Sequence, residues 1–278
     1  MTSLAGADLS TAPGRRPDAS THSSAERVAD LLLAFAEGEV GGDHGVSELS
    51  RTLGRERSQI SRMLHALERR GLVEQDRRTR RYRLGWSLLV IAATAGDDAL
   101  LRAARPILRG LVTETGETAF LSVLHGRHAL TVLTEESTRL MRAAEPVGGR
   151  SPLHCTAAGR ALLFDSEAHV VEALTAQDLA ADRPGPATTA PCTLEELHPR
   201  LRAERERGWA VADEEVEIGL TSIGVPVRGA SHDIVAAVSV SGPTARLSAR
   251  TDELAHRLQV GAEAIRAATT RPRGHAMR

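Results

Sequence analysis

Apolar positions between Val46 and Leu84 repeat twice with a helical period and then twice with a strand period. Residues 47–53 read as a short helix with Ser47 as its expected N-cap, and Gly54, Arg55 and Glu56 as the turn that follows. Over residues 57–70, Ile60, Met63, Leu64 and Leu67 fall at i, i+3, i+4 and i+7, which makes one buried stripe on a second helix. Gly71 stands where a left-handed residue ends it. Residues 72–75 and 80–84 then read as the strands of a hairpin, with Tyr82 and Leu84 alternating inward and residues 76–79 at the tip. Helix, turn, helix and hairpin in this order describe a winged helix-turn-helix.

On the N-terminal side, Ser23 and Glu26 match a capping box, and Val28, Leu31, Leu32 and Phe35 mark the inner face of a helix ending near Gly38. Gly41, Gly42, Asp43, His44 and Gly45 read as a flexible join. After the hairpin, residues 85–95 carry Trp86, Leu88, Leu89, Ile91 and Ala92 on an apolar linker helix. Its stripe is expected to pack on another subunit or on the neighbouring domain; the plainer reading is that it caps its own domain. From Asp97 the pattern becomes α+β. Leu100, Leu101, Ala104, Leu108 and Leu111 line a helix, residues 118–124 and 129–134 alternate as strands, and helices are expected at 156–164, about 166–175 and 193–207. Three more strands (209–213, 221–227, 234–241) precede a last helix at about 248–268, which suggests one sheet with helices packed against it. The expected organisation is a disordered tail at 1–22, a winged domain at 23–84, a linker helix at 85–96, an α+β domain at 97–270 and a second tail at 271–278.

Charge changes the picture. The chain totals −1, yet residues 46–84 hold eleven Arg against five acids, a net of +6, so the remainder sums to −7. Basic charge at one end points to nucleic acid at that end. Arg57, Ser58, Gln59, Ser61, Arg62 and His65 lie off the buried stripe of the second helix and suit base edges and phosphates in a major groove. Arg77, Arg78, Arg80 and Arg81, with Arg83, suit the phosphates or minor groove beside it. An ordinary Arg-rich surface helix is the alternative. Cys155 and Cys192 lack metal-ligand or disulfide-framework spacing, and no apolar run approaches the roughly 20 residues a bilayer requires. Arg15 and Arg16 are not followed by an apolar stretch, so a cytoplasmic, nucleoid-associated protein without membrane contact is expected.

Residues 47–49, 69–73 and 82–85 resemble the winged module of IclR-type transcriptional regulators. Leu140-Met141-Arg142 and the run from Pro146 through Cys155 to Ala161 resemble the central segment of that family. Arg207-Gly208-Trp209, Asp213-Glu214-Glu215, residues 219–227 and residues 236–243 resemble its C-terminal signatures, so the resemblance spans roughly 23–269. It implies a GAF-like effector domain, homodimers or dimers of dimers, and ligand-controlled binding to double-stranded operator DNA. It also places the effector site at Leu140, Ala157, Ala158, Leu220, Ser222, Ser239 and Ser241, with Asp213 nearby. Ser222 stands where some members carry Cys, and Ala212 where some carry a second acid.

The residues point the same way independently. Thr156, Ala157 and Ala158 open a helix whose free N–H groups and small side chains would admit an anion. Ser239 and Ser241 share a strand face, and Ser222 adds a third hydroxyl, a set suited to the carboxylate of a small organic acid. Competing readings are an enzyme using Cys155 or the Asp213 cluster, which lacks a visible nucleophile–base pair, and a dimerising scaffold without ligand. Adjacent acids such as Asp213, Glu214 and Glu215 at a strand end are usually solvated. His125 and His128 flank a turn without further metal ligands, and no metal or cofactor is expected.

Overall fold

The computed structural model describes residues 23–35, 42–92, 98–180 and 189–270, in two compact units, Met1–Ala92 and Ala93–Arg278. Both expected tails, the expected helix end near Gly38, Gly41 and residues 93–97, which include the end of the expected linker helix, lie outside the described residues.

In the first unit α1 spans Ser24–Ala34, α2 Val46–Thr52 and α3 Arg57–Glu68. The capping box forms as expected: Ser23 Oγ accepts Glu26 N–H at 3.2 Å and the Glu26 carboxylate accepts Ser23 N–H at 2.5 Å. The start of α2 differs. Gly45, in extended conformation, is its N-cap, and Glu48 reaches back to the Gly45 N–H at 3.4 Å, so Ser47 already lies in the first turn. A carboxylate at the third position closes this end without a hydroxyl cap. Leu31, Leu49, Ile60, Leu64 and Val73 form the buried core of the unit.

The wing is β1, Val73–Gln75, paired antiparallel with β2, Tyr82–Leu84. Tyr82 is buried, but Leu84 is 44% exposed, contrary to the alternation expected. Val73, its cross-strand partner, takes the core position and leaves Leu84 at the rim. The supposed join is also more ordered than expected. His44 exchanges backbone hydrogen bonds with Tyr82 (2.7 and 2.8 Å), adding a third rung to the wing, and its buried ring meets Phe35 edge-on at 5.3 Å.

Past the wing, α4 spans Ser87–Ala92. Gly85 donates to Leu72 O at 2.9 Å and Ser87 N–H to Gly71 O at 3.1 Å, and a Cβ on Gly85 would collide with the Gly71 carbonyl oxygen. Glycine is required there for the two backbones to approach. Trp86 and Val90 on this segment are 72% and 70% exposed, while Leu88 is half-buried.

The second unit runs α5 (Asp98–Thr115), β3 (Thr118–His125), β4 (His128–Glu135), β5 (Arg150–Pro152), α6 (Ala157–Leu162), α7 (Ala168–Ala180) and α8 (Leu194–Arg207). It continues with β6 (Ala210–Asp213), β7 (Leu220–Arg228), β8 (Ile234–Pro243), α9 (Thr244–Leu247), a 3-10 turn at Ser248–Arg250 and α10 (Thr251–Thr270). The six strands form one antiparallel sheet ordered β5-β4-β3-β8-β7-β6. Leu121, Val225 and Val238 face α5 and α10, while Ala129, Ala212 and Ala237 face α6, α7 and α8. This is the α+β arrangement expected, with helices on both faces of the sheet. The three-residue β5 is too short for an alternation signal, and the last helix begins at Thr251 because the one-turn α9 and a 3-10 turn at Ser248–Arg250 come first.

Candidate nucleic-acid interface and effector cleft

Burying Ile60, Leu64 and Leu67 turns the other side of α3 outward. Arg57, Ser58, Gln59, Arg62 and His65 are exposed there, and Ser61 is half-buried. His65 Nδ1 donates to the Ser61 carbonyl at 2.7 Å, which lays the ring along the helix. Arg55, just before α3, is tied to Asp30 of α1 at 3.2 Å. Arg57 and Arg62 form no ion pair among the described residues, so their guanidinium groups are available to a partner.

The wing tip is shaped by Asp76, whose Oδ1 accepts the N–H groups of Arg78 (2.7 Å) and Thr79 (3.0 Å). Those two donors, Thr79 foremost, hold its carboxyl below the usual carboxylate range. Arg80 has a φ of +59°, a left-handed conformation uncommon for a residue with a side chain. Arg77, Arg78 and Arg80 are exposed and form no ion pair among the described residues. Arg81 departs from the phosphate-contact expectation. Its guanidinium binds the Asp43 carbonyl (2.9 Å from Nε) and Glu48 (2.8 Å), pinning the wing to α2. Arg83 is likewise held by Glu74 at 2.9 Å. Opposite charge within reach decides both cases, and neither carboxylate is adjacent in sequence.

In the second unit a cleft of about 660 Å³ opens between the loop after β4, the β6–β7 loop and the sheet. Leu220 and Ser241 line it as expected, with Phe120, Met141, Ser151 and Ile218. Ser222 pairs with Ser241 across the strands, and Ser239 pairs with both Phe120 and Gly224, so the three hydroxyls share one sheet face. Ser239 and Ser222 are not among the lining residues of the cleft. Leu140 is fully exposed beside Met141. Asp213 accepts a hydrogen bond from Thr221 Oγ1, which also touches Thr244 Oγ1 at 2.9 Å, and it does not line the cleft.

At the head of α6 the backbone of β7 comes close to the expected anion cradle. Ala157 is fully buried, and a Cβ on Gly224 would stand 2.7 Å from the Ala157 carbonyl carbon. The small residues let the helix approach β7 closely. Thr156 Oγ1 moreover accepts the Gly159 N–H at 3.1 Å. Ala158 is half-buried and also lies outside the lining.

Of the three adjacent acids expected to be solvated, Asp213 is exposed and Glu214 half-buried, but Glu215 is part of a buried network. Arg160, with no exposed surface, holds Glu204 (2.8 and 3.1 Å) and Glu215 (2.6 and 3.0 Å), and donates to the carbonyls of His154 (3.0 Å) and Val211. Arg200 reaches Glu215 from the edge at 2.8 Å. Burial pushes the Glu215 carboxyl up, against the pull of Arg160 and Arg200. An arginine amid the Ala and Leu of α6 was the available sequence signal. Glu145 and Ser151, joined at 2.6 Å in the cleft, carried no such signal, because they meet only through the turn between β4 and β5.

A winged helix with an outward basic face, on a chain that also carries an α+β unit with a small-molecule-sized cleft, defines a ligand-responsive DNA-binding regulator. Sequence comparison agrees: the IclR helix-turn-helix domain matches residues 24–77, and the bacterial transcriptional regulator IclR C-terminal domain matches residues 92–267. The chain belongs to the IclR family of transcriptional regulators, whose members bind operator DNA and small-molecule effectors. It is 34% identical over 229 residues to the glycerol operon regulatory protein of Streptomyces griseus, covering 81% of this chain and 86% of the relative. It is 30% identical over 243 residues to the transcriptional repressor IclR of Escherichia coli, covering 84% and 87%. An IclR homolog from Microbacterium hydrocarbonoxydans, crystallised with 4-hydroxybenzoate, shares the fold with a TM-score of 0.73 at 22% identity, covering 87% of this chain and 98% of that one. No helix among the described residues is long and apolar enough to cross a membrane.

Proposed function

We propose that residues 23–84 grip a duplex operator through α3 and the wing, and that a small molecule in the cleft of residues 97–270 shifts that grip. The observation that carries this reading is the set Arg57, Arg62, Arg77, Arg78 and Arg80, basic and unpaired among the described residues, on a segment of net charge +6. Ser58, Gln59, Ser61 and His65 complete the reading face. Two copies, as a homodimer or a dimer of dimers, would read the half-sites of a pseudo-palindrome. The protein acts by binding rather than catalysis, in the cytoplasm and at the nucleoid. A bound effector would favour one of two arrangements of the dimer in proportion to its differential affinity for them.

Titrating duplex fragments from the gene's own surroundings against the purified protein tests the first half. Tight binding with a steep salt dependence is expected, and no binding even in dilute buffer would overturn it. Arg77→Ala with Arg78→Ala makes the plot of log K against log salt shallower by about 0.9 for each phosphate no longer neutralised, with base preference unchanged. In the cleft, Ser241→Ala weakens the effector response by about 1 kcal/mol, the net worth of one hydrogen bond. Calorimetry and a gel shift with effector check this; unchanged ligand affinity would displace the site from Ser241. Small organic acids were the effector class expected from sequence, and the lining of the cleft itself bears on that choice.

A further inference from the structure

We infer that the cleft selects an uncharged small molecule with an apolar body and hydroxyl donors, and that Glu145 is the residue that turns carboxylates away. The inference rests on the effector reading above and narrows its ligand class. Phe120, Met141, Ile218, Leu220 and Pro243 supply the apolar walls. The polar groups among them are Glu145, Ser151, Ser241, Arg142 and Glu217.

Arg142, the cation of that lining, is already engaged. Glu136 takes its Nε at 3.1 Å and its Nη2 at 3.0 Å, and the Arg139 carbonyl takes Nη1 at 3.4 Å. Arg246, which holds the loop through the Met141 carbonyl, is committed bidentately to buried Glu117 at 2.6 and 2.7 Å. Glu145 faces the cleft differently. Its Oε1 accepts the Ser151 hydroxyl at 2.6 Å, and its Oε2 has no partner among the described residues. With its proton given to Glu145, Ser151 offers only lone pairs to a ligand.

Glu145 is also held in place. Thr134 Oγ1 donates to its carbonyl at 3.1 Å, Gly149 N–H closes the turn onto Pro146 O at 2.9 Å, and a Cβ on Gly149 would lie 2.9 Å from Glu145 Cγ. The carboxylate is therefore packed against the turn that carries it. A ligand hydroxyl would donate to Oε2 in a charge-assisted bond. A ligand carboxylate would meet Glu145 with no uncommitted cation in the lining to offset the repulsion.

Calorimetry on the full chain with three matched probes tests this: 4-hydroxybenzyl alcohol, 4-hydroxybenzoate and 4-hydroxybenzylamine. The alcohol is expected to bind at least ten-fold more tightly than the acid. Glu145→Gln, which keeps an acceptor and removes the charge, should raise acid affinity about ten-fold and erase the preference. Glu145→Ala, as a second variant, should also erase it. Leu220→Trp fills the cleft and should abolish binding of every probe. If the acid wins in the parent protein, or if neither Glu145 variant changes the ratio, the inference is overturned while the site stands, provided Leu220→Trp still blocks binding. If Leu220→Trp leaves binding intact, the effector cleft is misplaced and both readings fall. Tightest binding of the amine overturns the uncharged assignment, as does silence from all three probes at millimolar concentration.

Discussion

Replacing Arg160 with Ala lowers the stability of the C-terminal unit by about 3–5 kcal/mol, the usual cost of leaving a buried charge without its partner. Arg160 has no exposed surface and binds Glu204 and Glu215, themselves only 2–3% exposed. Once it is gone, Glu204 and Glu215 share a dry site with only Arg200 and Arg207 at its edge. The backbone carbonyls of His154 and Val211 lose a donor as well. The sign of the pH dependence follows from Glu215. Burial already pushes its folded-state pKa up in the parent protein, and losing Arg160 removes the largest opposing influence. A raised folded-state pKa means the penalty is full above that pKa and relieved as pH falls through it and the carboxyl takes up a proton. The deficit of the variant, read from urea midpoints, should therefore shrink on acidification. An unchanged midpoint at neutral pH would show that the network contributes nothing net.

Arg62→Ala weakens binding to the specific operator by about 1–3 kcal/mol, or roughly five- to 150-fold, if Arg62 pairs with a guanine edge. Arg62 is exposed one turn beyond Ser58 on the outward side of α3 and has no ion pair among the described residues to compete with DNA. The loss should concentrate on the specific fragment. Anisotropy titrations with an operator fragment and a scrambled duplex separate the possibilities: equal losses on both would make Arg62 a phosphate contact, and no loss on either would remove it from the interface. Arg81→Ala, by contrast, should act through the wing, because that side chain is engaged by Asp43 and Glu48.

How far the chain could be read from residues alone follows the range of each signal. The capping box at Ser23, the stripe on α3, the stop at Gly71 and the strand alternation of β3 and β4 are written within one or two turns of chain. The capping box, the stripe and the alternation of β4 emerged where they were expected, whereas α3 ends at Glu68, short of the expected stop, and β3, covered on both faces, is buried without alternation. The signals that misled were local as well, but had a distant competitor. Leu84 alternates correctly, yet Val73 occupies the core position across the strands. Ser47 is a good cap, yet Gly45 with Glu48 starts α2 earlier.

By itself, then, the sequence determined the two-part plan, the element order and the basic outward face of α3, because period and charge density act over a few residues. Tertiary structure alone decided which charges are free and which are committed. Arg81 is consumed by Glu48, 33 residues away, Arg160 by acids 44 and 55 residues away, and Glu145 is joined to Ser151 around a turn. The physical reason is that an ion pair depends on separation in space, and the chain order of two side chains says little about that distance until the sheet and helices have closed.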